Sequence, residues 1–285
     1  MRLDDTIVAI TGAASGIGRA LAGQLADRGC RLALADVEAD ALDTVMRGLS
    51  DRGAEVVGVP TDVRDPEAVG GFAAATLEHF GGVDVVVNNA GVATFNLLED
   101  QTLADWRWVV EVNLMGVVHG LDAFLPILLE RDRAHIVNVA SVAGVQSGIA
   151  YIGPYAATKV AVVSISETLA EEMAAMHPHV SVTVLCPGNT DTAVMSAERN
   201  RPTELGAEQR SVDAEAWRTG IQDSFTSPTG RSADDVAAQL IEGVEQDRLF
   251  VLTHPDMAPL LDARLVRVRD AVATESRRAE ARTTR

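Results

Sequence analysis

Tyr155 and Lys159 are the residues whose types and spacing most directly suggest chemistry. The chain contains two tyrosines and one lysine, and that lysine follows Tyr155 by four positions. Every other basic residue apart from histidine is arginine, so ordinary surface positions accept arginine. A position that keeps lysine needs a compact ammonium on a flexible stem, which a planar guanidinium cannot supply. The pair therefore predicts a reactive site rather than an ordinary helix surface.

A tyrosine beside an ammonium can transfer a proton. A free phenol titrates near pH ~10, which is too high for an efficient base at neutral pH. Residues four apart share one face of a helix, so Lys159 can hold its charge close to the Tyr155 oxygen. That charge favours the phenolate, and lowering the pKa from about 10 to about 7 requires about 4 kcal/mol. We expect Tyr155 to act as a general acid and base.

A glycine-rich segment follows the first apolar run of the chain. Residues Thr6–Ile10 lead into Thr11-Gly-Ala-Ala-Ser-Gly-Ile-Gly18, and an amphipathic helical pattern comes next. Glycines allow a tight turn there and bring backbone N–H groups close to a pyrophosphate, at a helix N-terminus with positive potential. Because the segment lies between a strand and a helix, it predicts a dinucleotide-binding turn.

A carboxylate ends the second predicted strand, eighteen residues beyond Gly18. Asp36 can accept hydrogen bonds from the adenosine ribose hydroxyls, and its charge repels a 2′-phosphate. Neither Ser15 nor Val37 supplies a cation to offset that repulsion. The expected cofactor is therefore NAD rather than NADP.

The elements that must position these residues alternate along the first 190 positions. Short runs that are apolar throughout are typical of strands covered by helices on both faces. Their alternation with longer amphipathic segments predicts an α/β fold, a single Rossmann-type doubly wound parallel sheet with helices on both faces. The predicted strands are Thr6–Ile10, Arg31–Ala35, Glu55–Val59, Asp84–Val87, Ala134–Ala140 and Val180–Leu185, and the predicted helices lie near Gly16–Arg28, Glu38–Ser50, Pro66–Phe80, Leu103–Glu130 and Pro154–Met176.

The rest of the chain is expected to complete one domain over residues 1–273. The segment 191–230 is polar with little strand signal, and we expect it to be an insertion that covers the substrate at the carboxyl edge of the sheet. Ser232 and Asp235 open another predicted helix, Leu249–Thr253 is the last predicted strand and Asp256–Ala273 the last helix. The charged segment 274–285 is predicted to be a disordered tail.

Composition argues against several kinds of partner. A net charge of −17 repels nucleic acid and anionic membranes, so we expect neither as a partner. No apolar run reaches eighteen residues and the first five residues lack a signal-peptide core, so a cytoplasmic protein is expected.

Cys30 and Cys186 are expected to be buried thiols, and no metal site is expected. Several histidines lack ligand spacing and are predicted to be mostly surface or helix-end groups: His79, His119, His177, His179 and His254.

The spacing Thr-Gly-x-x-x-Gly-x-Gly, together with later motifs, resembles the short-chain dehydrogenase/reductase family. Asn88-Asn-Ala-Gly91, Ser141, the Tyr155-x-x-x-Lys159 pair and Pro187-Gly188 follow in the family's order over about residues 5–190. The resemblance implies hydride transfer between a nicotinamide and an alcohol or carbonyl. One departure is the fourteen-residue spacing of Ser141 and Tyr155, where the family more often has thirteen. We expect the extra residue in the loop 147–154.

The resemblance also implies a role for each matching residue. The catalytic set would be Asn113, Ser141, Tyr155 and Lys159. Ser141 would donate a hydrogen bond to the substrate oxygen, and Asn113 would hold a water that links Lys159 to solvent. The positive nicotinamide of NAD⁺ would add to the Lys159 charge in favouring the phenolate. The implied cofactor-binding residues are Gly12, Ser15, Gly16, Ile17, Gly18, Asp36, Asp62, Val63, Asn89, Ala90, Gly91, Tyr155, Lys159, Pro187, Gly188 and Thr190.

The candidate substrate pocket is apolar and lacks arginine and lysine. Such a pocket favours a neutral, fairly hydrophobic secondary alcohol or ketone over a substrate with a carboxylate or phosphate. The candidate pocket residues are Val92, Ala93, Phe95, Val142, Val145, Ile149, Tyr151, Ile152, Val194 and Met195.

Two alternatives remain at this stage. A catalytically silent NAD-binding sensor or assembly subunit would use the glycine turn equally well, but would not need the full catalytic set. A lyase or epimerase is disfavoured by the short C-terminal portion. The apolar faces of the helices predicted over Leu103–Glu130 and Pro154–Met176 favour a homodimer or homotetramer.

Overall fold

The computed structural model describes residues 1–146, 148–225 and 230–283, and within them seven strands form one sheet. The strand order is β3-β2-β1-β4-β5-β6-β7, and every neighbouring pair is parallel. The predicted α/β fold with a Rossmann-type doubly wound sheet is confirmed. The strands are β1 Ile7–Thr11, β2 Arg31–Asp36, β3 Val56–Pro60, β4 Val85–Asn88, β5 Ala134–Val139, β6 Val180–Cys186 and β7 Phe250–Leu252.

Helices connect these strands and cover the sheet. Short 3₁₀ helices span Ala193–Asn200, Thr203–Leu205 and Pro255–Met257, and a π-helical turn spans Glu111–Met115. The α-helices are α1 Gly16–Ala26, α2 Ala39–Ser50, α3 Pro66–Phe80, α4 Leu103–Val110, α5 Gly116–Leu129, α6 Val142–Gln146, α7 Gly153–Met176, α8 Val212–Ser224, α9 Ala233–Glu245 and α10 Ala258–Thr283.

The sheet is buried on both faces, which explains why its strands are apolar throughout. All five residues of β1 are buried. Val8 packs into a core that includes helix residues Leu21 and Leu240, whereas Ala9 packs into the opposite core with Phe72. Successive side chains of a strand point to opposite faces, so each face needs its own apolar cover.

The topology brings the candidate residues to one edge. The chain moves outward from β1 through β2 to β3, returns to place β4 on the other side of β1, and then continues outward. The carboxyl ends of β1 and β4 therefore border a crevice at the reversal point, where open α/β sheets bind their ligands.

The helix predicted over Leu103–Glu130 is continuous but contains a π-helical turn. Its α4 and α5 parts join through Glu111–Met115, and Pro126 lies in its last turn. By length and composition, Leu103–Leu129 could cross a membrane, with a mean hydropathy of 1.7 in its most apolar window. Of that window, 39% is buried inside the protein, and the exposed large apolar side chains described on this helix are Leu103 and Met115.

The segment after β6 contains more helix than the sequence indicated. The predicted insertion 191–230 holds two 3₁₀ helices and α8, with 226–229 outside the described residues. Helix α10 continues to Thr283, where a disordered tail was predicted from residue 274, and 284–285 lie outside the described residues. Good helix formers and an ion pair between Arg278 and Glu275 at 2.6 Å favour this extension.

Candidate active site

The turn between β1 and α1 is a tight loop closed by glycines. Gly12 and Gly16 have positive φ angles of 64° and 50°, which glycine adopts without steric cost. A Cβ on Gly12 would lie 2.8 Å from the Cα of Ala90. Gly18 does not line the cavity, because it lies against the turn, where a Cβ would overlap the Gly12 carbonyl oxygen. Gly18 therefore allows α1 to pack closely on the turn, and its contact with the cofactor stays a prediction.

Asn89 and Thr11 hold this turn against the end of β4. The Asn89 side-chain amide donates hydrogen bonds to the carbonyls of Thr11 and Gly12, at 2.9 and 3.0 Å. The Thr11 hydroxyl oxygen accepts hydrogen bonds from the backbone N–H groups of Asn89 and Ala90, at 3.0 and 3.2 Å. Asn89, Ala90 and Gly91 also line the cavity. The loop is therefore fixed before any ligand binds.

Asp36 lies at the cavity wall and is anchored by the backbone. Its Oδ2 accepts a hydrogen bond from the Ala14 N–H at 2.8 Å, and its Oδ1 accepts one from the Glu38 N–H at 3.0 Å. The residue is buried yet lines the cavity. Its carboxylate thus shapes the glycine turn, a structural role that the sequence analysis missed, and still faces the predicted ribose position.

Asp62 and Val63 line the same cavity beyond β3. Burial alone would raise the pKa of Asp62, but hydrogen bonds and charge from Arg64 outweigh burial and lower it. The Arg64 guanidinium lies 2.6 Å from the Asp62 carboxylate. The Val63 carbonyl is hydrogen bonded to the His119 ring at 2.8 Å. These contacts fix a wall of the cavity next to Asp36.

Ser141, Tyr155 and Lys159 line the same cavity as the glycine turn. Ser141 follows β5, whereas Tyr155 and Lys159 lie one turn apart on α7, and all three line the cavity. The Lys159 ammonium lies 5.6 Å from the centroid of the Tyr155 ring. It donates a hydrogen bond to the Val139 carbonyl at 2.7 Å. The residues that the sequence analysis paired are therefore adjacent.

Burial dominates the protonation of this pair in the ligand-free chain. It raises the pKa of Tyr155, although a hydrogen bond with Ser141 opposes the rise. Burial also lowers the pKa of Lys159 to about 8. The lowered phenol pKa expected from Lys159 is thus not a property of the free chain, because the ammonium is itself desolvated and bonded to Val139.

Asn113 lies in the π-helical turn and is fully buried outside the cavity. Its Oδ1 accepts a hydrogen bond from the Val92 N–H at 2.8 Å. Its amide donates to the Val92 carbonyl at 2.9 Å and to the Thr158 hydroxyl at 3.2 Å. The side chain therefore positions Val92, while its place in a proton path remains a prediction.

The loop after β6 is braced by His254. The Gly188 N–H donates to His254 Nδ1 at 3.0 Å, and His254 Nε2 lies 3.0 Å from the Asn189 carbonyl, the arrangement of a neutral ring protonated at Nε2. Burial lowers the pKa of His254, which favours that neutral form. Pro187, Gly188 and Thr190 line the cavity. His254 is at a helix end, as the N-cap of the 3₁₀ helix Pro255–Met257, but it is buried and not a surface residue.

The other half of the cavity is apolar and partly covered by α8. Tyr151 lies outside it and packs its ring against Trp217 at 5.7 Å, and Val145 packs into a core cluster with Val162. Trp217, Ile221 and Phe225 also line the cavity, and no sequence signal identified them, because they follow the region of family resemblance. The predicted pocket residues that do line the cavity are Val92, Ala93, Phe95, Val142, Ile149, Ile152, Val194 and Met195.

A polar network fastens the segment before α8 to the pocket. The buried Glu208 carboxylate accepts a hydrogen bond from the Phe95 N–H at 2.6 Å and pairs with Arg210 at 2.7 Å. The Arg210 guanidinium lies 5.8 Å from the Phe95 ring centroid. The Asn96 side chain donates to the Gln209 carbonyl at 2.7 Å. These bonds join the segment before α8 to Phe95 and Asn96, and the Trp217 ring of α8 lies 6.3 Å from the Phe95 ring.

The site residues fit a dinucleotide. Positive φ angles at Gly12 and Gly16 open the turn, and the Ser15 side chain, at the N-cap of α1, makes no capping hydrogen bond. Asp36 faces the expected ribose position from the wall of the same cavity. The described residues contain no group of three or more metal-ligating side chains. The arrangement can hold a pyrophosphate at the helix N-terminus and a ring beside Tyr155.

Comparisons with known proteins agree with this geometry. The family model for short chain dehydrogenases matches residues 6–203. A short chain dehydrogenase/reductase from Burkholderia phymatum, solved in complex with NAD, shares 40% identity with a TM-score of 0.90, over 94% of this chain and 96% of that one. A "CLA biosynthesis dehydrogenase/reductase" from Lactiplantibacillus plantarum is 32% identical over 93% of both chains.

A third relative carries a different cofactor. The alcohol dehydrogenase of Thermococcus sibiricus, solved with 5-hydroxy-NADP, is 30% identical with a TM-score of 0.70, over 87% of this chain and 95% of that one. The family match covers more than half of the sequence and agrees with the glycine turn and the residues around Tyr155. The chain belongs to the short-chain dehydrogenase/reductase family.

Proposed function

We propose that this chain is an NAD-dependent oxidoreductase that interconverts a neutral, fairly hydrophobic secondary alcohol and its ketone. The observation that carries the proposal is the meeting of Ser141, Tyr155 and Lys159 in one cavity with the glycine turn. NAD is favoured because the Asp36 carboxylate lies in the wall where a 2′-phosphate would sit. The relative from Burkholderia phymatum, solved with NAD, supports the same cofactor.

Proton transfer is the task of the protein in this proposal. When bound, NAD supplies or accepts the hydride. During alcohol oxidation, the Tyr155 oxygen takes the hydroxyl proton, and during ketone reduction it returns that proton to the oxygen. Ser141 donates a hydrogen bond to the same oxygen and holds it near Tyr155. The pKa of Lys159 is about 8, so its ammonium is charged at a pH below that value. The charge stabilises the phenolate once Tyr155 loses its proton.

The chemistry of the pocket supports a neutral substrate. The charged side chains that line the cavity, apart from Lys159, belong to residues near the predicted nucleotide position: Asp36, Glu38, Asp62, Arg64 and Arg199. The opposite half is lined by apolar and aromatic residues, including Phe95 and Trp217. Gln146 is a polar exception, and its buried amide oxygen has no partner among the residues described. A substrate hydroxyl away from the reacting carbon would satisfy it.

An assembled form is part of the proposal. The exposed Met115 extends the apolar surface of α4 and α5, and exposed Leu265 and Val272 lie on α10. Apolar surface of this kind is typical of subunit contacts. We propose a homodimer or homotetramer.

The rival function, a silent NAD-binding sensor, would leave the Ser141, Tyr155 and Lys159 cluster without a task.

Steady-state assays with NAD⁺ over a library of secondary alcohols, hydroxy acids and sugar acids test the function. We expect turnover of neutral, apolar alcohols and slow turnover of charged substrates. Turnover confined to charged substrates would refute the substrate class. Tight NADH binding without hydride transfer across the whole library would favour the sensor instead.

A further inference from the structure

Arg199 is a cation that the fold brings to the ribose side of the cavity. It lies in the 3₁₀ helix Ala193–Asn200, far along the chain from Asp36 and Val37, yet the three residues line the same cavity. The sequence analysis found no cation to offset the charge of Asp36, because nothing in the sequence places Arg199 near β2. A guanidinium in this position could form a bidentate pair with a phosphate.

The Arg199 guanidinium is already engaged by Glu38. Its Nε donates a hydrogen bond to Glu38 Oε1 at 3.0 Å, and its Nη2 lies 2.8 Å from the same oxygen. Its Nη1 donates to the carbonyls of Ala193 and Ser196, at 2.8 and 3.0 Å. Asn200 adds a further bond to Glu38 Oε1 at 2.8 Å. All three nitrogens of the guanidinium are therefore directed to protein oxygens.

Glu38 remains charged in this arrangement. The Asn200 hydrogen bond and the Arg199 guanidinium lower its pKa, although partial burial opposes them. Both side chains of the pair are about one third exposed, so the pair exchanges with solvent and can be displaced. To bind Arg199, a 2′-phosphate would have to displace Glu38 from the ion pair. It would also be repelled by the negative charges of Glu38 and Asp36.

We propose that Glu38 is a second determinant of NAD selectivity, which acts by occupying Arg199 so that this cation is not free to bind the 2′-phosphate of NADP. The inference rests on the proposed dinucleotide site but not on the identity of the substrate. Asp36 repels the phosphate directly, whereas Glu38 occupies Arg199, and the other cation on that side of the cavity, Arg64, is paired with Asp62.

Dissociation constants for NADH and NADPH, measured by nucleotide fluorescence without substrate, test the proposal. In Glu38→Gln, Arg199 loses its charged partner while its bonds to the Ala193 and Ser196 carbonyls remain, and we expect the affinity for NADPH relative to NADH to rise about tenfold. In the double variant Glu38→Gln/Arg199→Gln, most of that gain should disappear. The control is Glu242→Gln on α9, which removes the same charge from an ion pair with Arg248. It should leave the ratio of the NADPH and NADH affinities unchanged.

The double variant separates two explanations. An equal gain in the single and double variants would mean that Glu38 acts only through its own charge, and would overturn the proposal. An unchanged ratio in Glu38→Gln would overturn it too. Circular dichroism checks folding, and Glu38→Ala replaces the glutamine variant if that one fails to fold. Wild-type protein that bound neither nucleotide would refute the proposed function as well, whereas the outcomes above refute this inference alone.

Discussion

Two tyrosines lie four residues apart, and the fold treats them differently. Tyr155 lines the cavity beside Ser141 and Lys159, whereas Tyr151 lies outside it with its ring against Trp217. Tyr151 has a positive φ of 67°, which turns the chain just before α7 begins. The pair therefore offers a matched comparison between a phenol placed for proton transfer and one placed for packing.

Replacing Tyr155 by phenylalanine removes the proton donor and keeps the ring. We expect Tyr155→Phe to lower kcat at least about a thousandfold, a loss in the range for an essential acid and base. The affinity for NADH should stay within about twofold, because the ring still fills its place. Steady-state kinetics and NADH fluorescence measure the two quantities. Tyr151→Phe is the control and should keep kcat nearly unchanged, and retained turnover in Tyr155→Phe would refute the proton-transfer role.

Lys159 lowers the stability of the free chain at neutral pH. Its pKa falls from 10.5 to about 8 on burial, so between those values the unfolded chain binds more protons than the folded one. The free energy of unfolding therefore rises with pH across this window, and the full cost of burying the charge is felt below about pH 8. Function thus opposes stability at this residue.

The substitution Lys159→Met tests this cost. At pH 7 we expect it to raise the free energy of unfolding by about 1–2 kcal/mol, while turnover is lost. Loss of the hydrogen bond to the Val139 carbonyl limits the gain. Urea unfolding between pH 7 and 10.5 measures the difference, which should shrink above about pH 8. A gain that does not change with pH would contradict the explanation.

At the scale of elements, the loop after β6 depends on a residue beyond β7. His254 accepts the Gly188 N–H and contacts the Asn189 carbonyl, and its neutral form is the one that fits both. Protonation of Nδ1 would remove the acceptor for Gly188. Asp256 favours the protonated ring, while burial and Arg231 disfavour it. Because the pKa is lowered from 6.5, the brace is intact at pH 6.5 and above, and it is lost only as the pH falls through the lowered pKa.

Cofactor binding should report on this brace. We expect His254→Ala to raise the dissociation constant for NADH about tenfold at pH 7.5, since one hydrogen bond and its positioning are lost. NADH binding to the wild type should weaken only at a pH below the ordinary histidine value of 6.5, whereas His254→Asn, which keeps an acceptor that does not titrate, should show a flatter pH profile. His79→Ala on the exposed end of α3 is the control. Equal pH profiles for the wild type and His254→Asn would rule the brace out.

Some elements could be predicted because local signals agree with the fold. The β1 turn joins a buried strand to a helix, and Thr102 with Asp105 and Ser232 with Asp235 form capping boxes at the expected helix starts. Helix α8 could not be identified in this way. Few of its side chains are buried. The segment before it is held by a hydrogen bond from the Phe95 N–H to Glu208, and these two residues are more than a hundred positions apart in the chain.

At the scale of the whole molecule, parallel strand order explains which contacts were foreseen. The carboxyl ends of adjacent strands share one edge, so Asp36, Asn89 and Ser141 could be grouped from their positions after strands. No such rule predicts which residues of the segment 191–230 lie against the cavity. The approach of Arg199 to Glu38 follows only from the three-dimensional path of the chain after β6. The fold and the grouping of Ser141, Tyr155 and Lys159 were predictable, whereas the helices within the segment 191–230 and the pairing of Arg199 with Glu38 were not.

Assembly is the remaining property of the whole molecule that the surface suggests. The helix Leu103–Leu129 is strongly apolar, but only 39% of its most apolar window is buried within one chain. Met115 is 37% exposed on this helix, so a charged side chain there can reach solvent in the monomer. In a subunit interface the same charge would lose its hydration without a partner, which disfavours association.

The variant Met115→Glu should therefore dissociate the assembly without unfolding the chain. We expect light scattering to give twice or four times the 30.1 kDa chain mass for the wild type, and close to a single chain for the variant. Val212→Glu is the control, since Val212 is 86% exposed on α8, and it should keep the wild-type mass. Circular dichroism should be the same for all three proteins. A monomeric wild type, or a variant that keeps the full mass, would remove this helix from any subunit contact.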